Sequence, residues 1–125
     1  MSSVKLDALI REFPEEAQAL ERLVHFLDQY QEQEGRREFP LERLFEIAEP
    51  SSERVLLKIL QRVCKQGALT RLVRIENANG QGLATFPTVD DVPDQIYDFT
   101  LGRTIEVDHD LLRIIYQTRS NIHAA

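Results

Sequence analysis

Arg54, Lys58, Arg62 and Lys65 recur at intervals of three or four residues, so a helix turning about 100° per residue gathers them within roughly 80° of arc. Four cations on one helical face can hold phosphates or carboxylates. Val55, Leu56, Ile59, Leu60, Val63 and Cys64 fill the opposite face, so the same helix packs on one side and presents charge on the other. Residues 54 to 74 hold 6 basic residues and no acid, Arg71 and Arg74 being the last two. Residues 1 to 53 hold 13 acids and 6 bases, and residues 75 to 125 hold 8 acids and 3 bases. The net charge of −6 argues against general nucleic-acid affinity. Screening confines exposed charges to about 8 Å, however, so a cationic patch can act on an acidic chain. A C-terminal cation is also favoured by the helix dipole, which accounts for Lys65 and Arg62 but not for Arg54 in the first turn.

The remaining reactive residue types form no reacting set. Asp90, Asp91, Asp94 and Asp98 lack the order of oxygen ligands and the closing glutamate of a calcium loop, and read as a solvated, proline-kinked linker. His25, His109 and His123 have no second histidine or cysteine at metal-ligand spacing, and each reads as structural or exposed. Ser51 and Ser52 precede a helix and read as caps, Ser51 being the expected one, without the glycine-flanked turn of a nucleophilic serine. Gly80 and Gly82 belong to a hairpin, and no glycine-rich loop leads from a strand into a helix. A single cysteine, Cys64, excludes an internal disulfide and reads as a small buried hydrophobe. The expectation is binding without catalysis, metal or cofactor.

The elements that position the basic residues follow from periodicity. A short helix is expected over residues 3–12, with Val4, Leu6, Leu9, Ile10 and Phe13 at mostly helical spacing. A longer one is expected over 14–34, opened by Pro14 and the dipole-favoured Glu15 and Glu16, with Ala17, Leu20, Leu23, Val24, Leu27 and Tyr30 inward and Gly35 as its stop. A compact helix from Pro40 to Ala48 turns Leu41, Leu44, Phe45 and Ala48 to one face. Pro50 then closes it, and a tight Glu49-Pro50-Ser51 connection leads into the helix that carries the stripe, ended by Gly67. Two alternating runs around Asn79-Gly80 predict a hairpin with a two-residue turn, pairing Val73 with Phe86, Arg74 with Thr85, Ile75 with Ala84 and Glu76 with Leu83. Beyond Pro87 the sequence predicts two short strands, Ile96 to Phe99 and Thr104 to Val107, turning at Leu101-Gly102. A helix capped by Asp108 should follow, with Leu111, Leu112, Ile115 and Tyr116 inward.

Residues 39–87, and most of all LLKILQRVCKQGALTRLVRIENANGQGLATF, resemble the winged-helix superfamily: a strand residue, a helix, a turn, a second helix ending in CKQGAL, then a hairpin. The fold class expected is therefore α+β, a single winged-helix domain over 1–125. It comprises a helical N-terminal region (1–38), a winged helix-turn-helix core (39–87) and an acidic C-terminal extension of strands and a helix (88–117). The resemblance implies duplex DNA contact through Arg54, Lys58, Arg62 and Lys65, with wing contacts from Arg71 or Arg74. The wing tip, Asn77 to Gln81, is uncharged and follows Glu76, which argues against minor-groove contact. Winged helices also serve as protein-binding platforms in larger assemblies, so the alternative is a non-enzymatic subunit whose basic face meets an acidic protein surface. The polar end of the 14–34 helix offers a surface for a homodimer. The charged N-terminus lacks a signal peptide's apolar core and no stretch approaches the roughly 18 apolar residues of a membrane span, so a cytoplasmic protein is expected.

Overall fold

The computed structural model describes residues 4–30 and 37–118, a mixture of helix and strand. In chain order the elements are α1 (Leu6–Glu12), a 3-10 turn (Pro14–Glu16), α2 (Ala17–Asp28), β1 (Glu38–Pro40), α3 (Leu41–Ala48) and α4 (Glu53–Lys65). Then come β2 (Leu69–Glu76), β3 (Gly82–Phe86), a 3-10 turn (Val89–Asp91), β4 (Gln95–Asp98), β5 (Arg103–Glu106), a 3-10 turn (His109–Leu111) and β6 (Leu112–Thr118). One sheet has the order β1-β6-β2-β3, and β4 with β5 forms a second. Two compact units result, the first running to Thr70 and resuming at Tyr116, the second spanning Arg71–Ile115. Among the described residues no helix is long and apolar enough to cross a membrane.

The first unit is built on helices. Pro14 opens a 3-10 turn and not an α-helix, and regular α2 begins only at Ala17. Leu20, Leu23, Val24 and Leu27 are buried along α2 at the predicted spacing, and α2 packs against α1 and α3. Residue 3 and residues 31–36 lie outside the described residues, but both helices are shorter than expected: α1 begins at Leu6, after the non-helical Val4 and Lys5, and α2 ends at Asp28, with Gln29 and Tyr30 in a turn. Phe39 of β1 is buried against Phe26 and Tyr30, with ring centroids 5.0 and 5.2 Å away, and Arg43 lies over the Phe26 ring at 5.9 Å. Pro40 caps α3 from an extended conformation and is not its first residue. Leu44 and Ala48 are buried as expected, but Phe45 is 36% exposed. It stands one 100° step from Leu44, far enough round so short a helix to leave the packed face.

Two interactions that local sequence does not signal hold the turn between α3 and α4. The half-buried Arg22 guanidinium donates from Nε and Nη2 to the Ala48 carbonyl, at 3.0 and 2.8 Å, satisfying an acceptor that the end of α3 leaves open. The buried Glu16 carboxylate accepts the Ser51 N–H at 2.9 Å. Between them Glu49 takes a left-handed conformation (φ 50°, ψ 57°), which costs a non-glycine residue about 1 kcal/mol. Charge-assisted hydrogen bonds of this kind contribute about 1.5 to 3 kcal/mol and offset that strain.

The second unit is built on hairpins. Val73, Arg74 and Ile75 pair with Phe86, Thr85 and Ala84 in the predicted register. The predicted Glu76–Leu83 pair does not form, because Glu76 pairs with Gly82 and the register shifts by a residue. The loop is also longer than the two-residue turn expected. Asn77 donates its N–H to the Gln81 carbonyl at 2.9 Å, and the Gly80 N–H donates to the Asn77 carbonyl at 2.9 Å. Ala78, Asn79 and Gly80 therefore form a three-residue loop in which Gly80 (φ 81°) alone occupies the left-handed region. Asn77 drives this choice, its Oδ1 accepting the N–H groups of Asn79 (2.9 Å) and Gln81 (3.0 Å). The strands β4 and β5 fall one residue earlier than predicted, with Tyr97 opposite Thr104 and Asp98 opposite Arg103.

Two further expectations are overturned here. Residues after Asp108 do not form a helix. Asp108 does cap, its Oδ1 accepting the Asp110 N–H at 2.9 Å, but only a 3-10 turn follows before the strand β6. Nor is Asp98 a solvated linker acid: it is fully buried at the end of β4. Its Oδ1 accepts from the Thr100 hydroxyl (2.6 Å), the Thr100 N–H (2.8 Å) and the Leu101 N–H (3.2 Å), and its Oδ2 from Asn77 Nδ2 (3.4 Å).

The Thr100 hydroxyl, helped by the backbone N–H groups and Asn77, holds the Asp98 carboxyl below the usual carboxylate range against the opposing pull of burial. A lowered native pKa means that this stabilisation is complete above the unfolded value near 3.9 and lost as pH falls through the native one. Melting temperatures of the protein and of Asp98→Asn should differ by several degrees at neutral pH and converge in acid. A gap that widens as pH falls would contradict the assignment.

Candidate functional site

Helix α4 is defined at both ends by its own sequence. Ser52, and not Ser51, is the cap: its extended backbone places Oγ 3.1 Å from the Val55 N–H. The backbone N–H of Ser51 donates instead to Glu16. At the other end Gly67 (φ 84°) donates its N–H to the Cys64 carbonyl at 3.0 Å, and Ala68 donates to the Val63 carbonyl at 3.3 Å. This pair of bonds satisfies the last carbonyls and requires a residue tolerant of the left-handed region, which is why glycine stands there. Leu56, Ile59, Leu60 and Val63 are buried to 1% exposure or less. Cys64 is half-buried and not part of that inner row.

Arg54, Lys58, Arg62 and Lys65 are all exposed. Their environments differ. Arg62 Nε donates to Glu12 Oε2 of α1 at 2.8 Å, in a pair whose side chains are 44% and 42% exposed. A surface pair of this sort contributes at most about 1 kcal/mol and opens readily for a competing anion. The N–H of Lys5, which precedes α1, donates to Oε1 of Gln66, which follows α4, at 2.9 Å. Among the described residues Arg54, Lys58 and Lys65 make no ion pair. Three cations on one rigid helix face are thus open to an anionic ligand.

Arg71 and Arg74 lie in the second unit. Arg71 is exposed on β2, whereas Arg74 is half-buried, its stem running beside Gly82, where an added Cβ would come within 3.3 Å of Arg74 Cδ. A side chain at position 82 would push that stem aside. The loop beyond is uncharged and fixed by hydrogen bonds: Asn77 Nδ2 reaches Gln81 Oε1 at 3.1 Å and the Thr100 hydroxyl at 3.0 Å. Asn77 and Thr100 thereby join the β2–β3 loop to the β4–β5 loop within the second unit. Sequence reasoning read Asn77 as an ordinary loop residue and Asp98 as a solvated one. Their only local signal was that Asn and Asp favour turns.

Asp90, Asp91 and Asp94 are exposed, as are His25 and His109, while His123 lies outside the described residues. Among the described residues no group of His, Cys, Asp or Glu is placed to hold a metal ion. An open hollow in the second unit, lined by Val89, Val92, Pro93, Val107 and Leu112 with Asp94, Asp108 and His109 beside them, has a volume of about 210 Å³. That is below the range of about 300 Å³ and more that encloses most small ligands.

Comparison with protein-family models, with curated proteins and with solved structures gives no match.

Proposed function

We propose that this protein is a non-enzymatic binding protein with a winged-helix core, and that it contacts duplex DNA through the exposed face of α4. One observation carries this reading: Arg54, Lys58 and Lys65 point to solvent from the helix whose other face is buried, and no intrachain acid neutralises them among the described residues. Arg62 joins them when phosphate displaces Glu12, and Arg71 is the exposed cation of β2. A rigid, single-sign face is suited to the duplex backbone, where charge supplies much of the affinity. The uncharged β2–β3 loop adds no phosphate contact.

If about three to four phosphates are neutralised, log affinity for a random duplex of about 30 base pairs should fall against log salt with a slope of about −3 to −3.5. Arg54→Glu with Lys58→Glu should abolish binding at about 50 mM salt while leaving the melting temperature nearly unchanged, since neither side chain is packed. Fluorescence anisotropy of a labelled duplex measures the binding, and a thermal melt followed by circular dichroism the stability. Absence of wild-type binding at that salt would reject the DNA reading.

The second reading is a protein-interaction subunit whose basic α4 face meets an acidic partner. The neutral β2–β3 loop and the net charge of −6 favour it. It predicts the same loss with the double charge reversal, read on a protein ligand instead of a duplex.

A further inference from the structure

Among the described residues the most exposed large apolar side chains are not on α4. In the β4–β5 hairpin Ile96, Ile105 and Asp98 turn inward, and the opposite face and the loop present Tyr97 (58% exposed), Phe99 (63%) and Leu101 (51%). Three large apolar side chains together in solvent mark an interaction surface. They are also held in place. The Asp98 carboxylate takes the N–H groups of Thr100 and Leu101, and its carbonyl accepts from Leu101 (3.2 Å) and Gly102 (2.8 Å). A loop fixed this way loses little conformational freedom on binding.

The charge around it selects the occupant. Asp94 and Glu106 lie at the base of the hairpin and Asp90 and Asp91 shortly before it, all exposed, against one exposed cation within it, Arg103. Two such surfaces meeting face to face would set four acids against one arginine on each side, a net repulsion, and an anionic lipid surface would meet the same excess of negative charge. Lys and Arg fit, because their aliphatic stems cover apolar side chains while their charged ends reach ring faces and carboxylates. The chain carries such a surface itself, in Arg54, Lys58 and Lys65 of α4. We infer that the β4–β5 hairpin of one copy docks on the basic α4 face of a second copy, head to tail. This inference rests on the reading of α4 as a contact surface, and it makes a duplex and a second copy competitors for that face. A contact between one hairpin and one helix face belongs to the weak, transient class.

The test is sedimentation velocity at about 50 mM salt, with protein concentrations rising to about 1 mM. The wild-type average mass should rise with concentration above the 14.5 kDa of one chain and return to it in high salt. Tyr97→Ser with Phe99→Ser should be monomeric, and so should Arg54→Glu with Lys58→Glu. Mixed in equal amounts, these two variants each retain one complementary surface, and should form a one-to-one pair of about 29 kDa, twice 14.5 kDa, and nothing larger. A wild type that stays monomeric, a hairpin variant that still self-associates, or a mixture that remains monomeric would overturn the inference. So would hairpin-dependent binding to zwitterionic phosphatidylcholine vesicles without self-association. The hairpin variant should keep duplex binding if the DNA reading holds. Loss of that reading alone would appear as wild-type self-association without duplex affinity.

Discussion

Replacing Leu60 by Ala is expected to lower the unfolding free energy by about 2 to 5 kcal/mol. Leu60 is fully buried, and Leu56, Ile59 and Val63 beside it on α4 are buried to 1% exposure or less. Truncation removes the transfer free energy of the lost carbons and leaves a cavity that tightly packed neighbours cannot close. Against a total stability of about 5 to 15 kcal/mol, this takes a large share. The loss should appear as a lowered urea midpoint with an unchanged slope. Lys58→Ala, on the exposed face two residues earlier, should change stability by no more than about 0.5 kcal/mol. The two substitutions separate the two jobs of α4, since one removes the support of the helix and the other removes only what it presents. A Leu60→Ala cost below about 1 kcal/mol would mean that α4 is not anchored as described.

The cationic face was legible because every determinant of α4 is local. Its cap lies three residues from the N–H it accepts, its terminating glycine closely follows, and its apolar pattern runs without interruption from Val55 to Cys64. The β2–β3 hairpin was legible in register for the same reason, up to the point where the Asn77 side chain took two backbone N–H groups and lengthened the loop. What was not legible depends on partners far away in sequence. Arg22 and Glu16 reach residues 26 and 35 positions away to hold the α3–α4 turn, and neither bond leaves a trace in periodicity. Asp98 looked like one of four solvated acids until Asn77, 21 residues earlier, placed it inside.

The error at the C-terminal end has a different origin. Leu111, Leu112, Ile115 and Tyr116 satisfy a helical pattern, and a capping aspartate precedes them. A short apolar run does not distinguish a helix from a strand that has neighbours on both edges, because neither alternates cleanly. Ile114, Ile115, Tyr116 and Thr118 are residues that favour strands, and that composition was the available clue. The deciding interactions are remote: the Thr118 N–H donates to the Arg37 carbonyl at 2.8 Å, and the Arg37 N–H donates to the Thr118 hydroxyl at 2.9 Å, across 81 residues.

Ending the chain after Asp110 should therefore prevent cooperative folding, where an acidic tail folded lightly onto the protein would cost only a few degrees. The deletion removes β6, which stands between β1 and β2 in the sheet, and with it Ile115 and Tyr116, only 3% and 2% exposed. Backbone donors and acceptors on both neighbouring strands lose their partners, at about 1 to 3 kcal/mol for each group left buried, in addition to the apolar area exposed. Several such losses exceed the stability of an ordinary domain. Tyr116→Ala tests the same strand without deleting it and should cost about 3 to 5 kcal/mol. Thermal melts followed by circular dichroism should show a broad, non-cooperative change for the shortened chain and a lowered but cooperative transition for Tyr116→Ala. A shortened chain that melts cooperatively within a few degrees of the full one would show that β1 and β2 do not depend on β6.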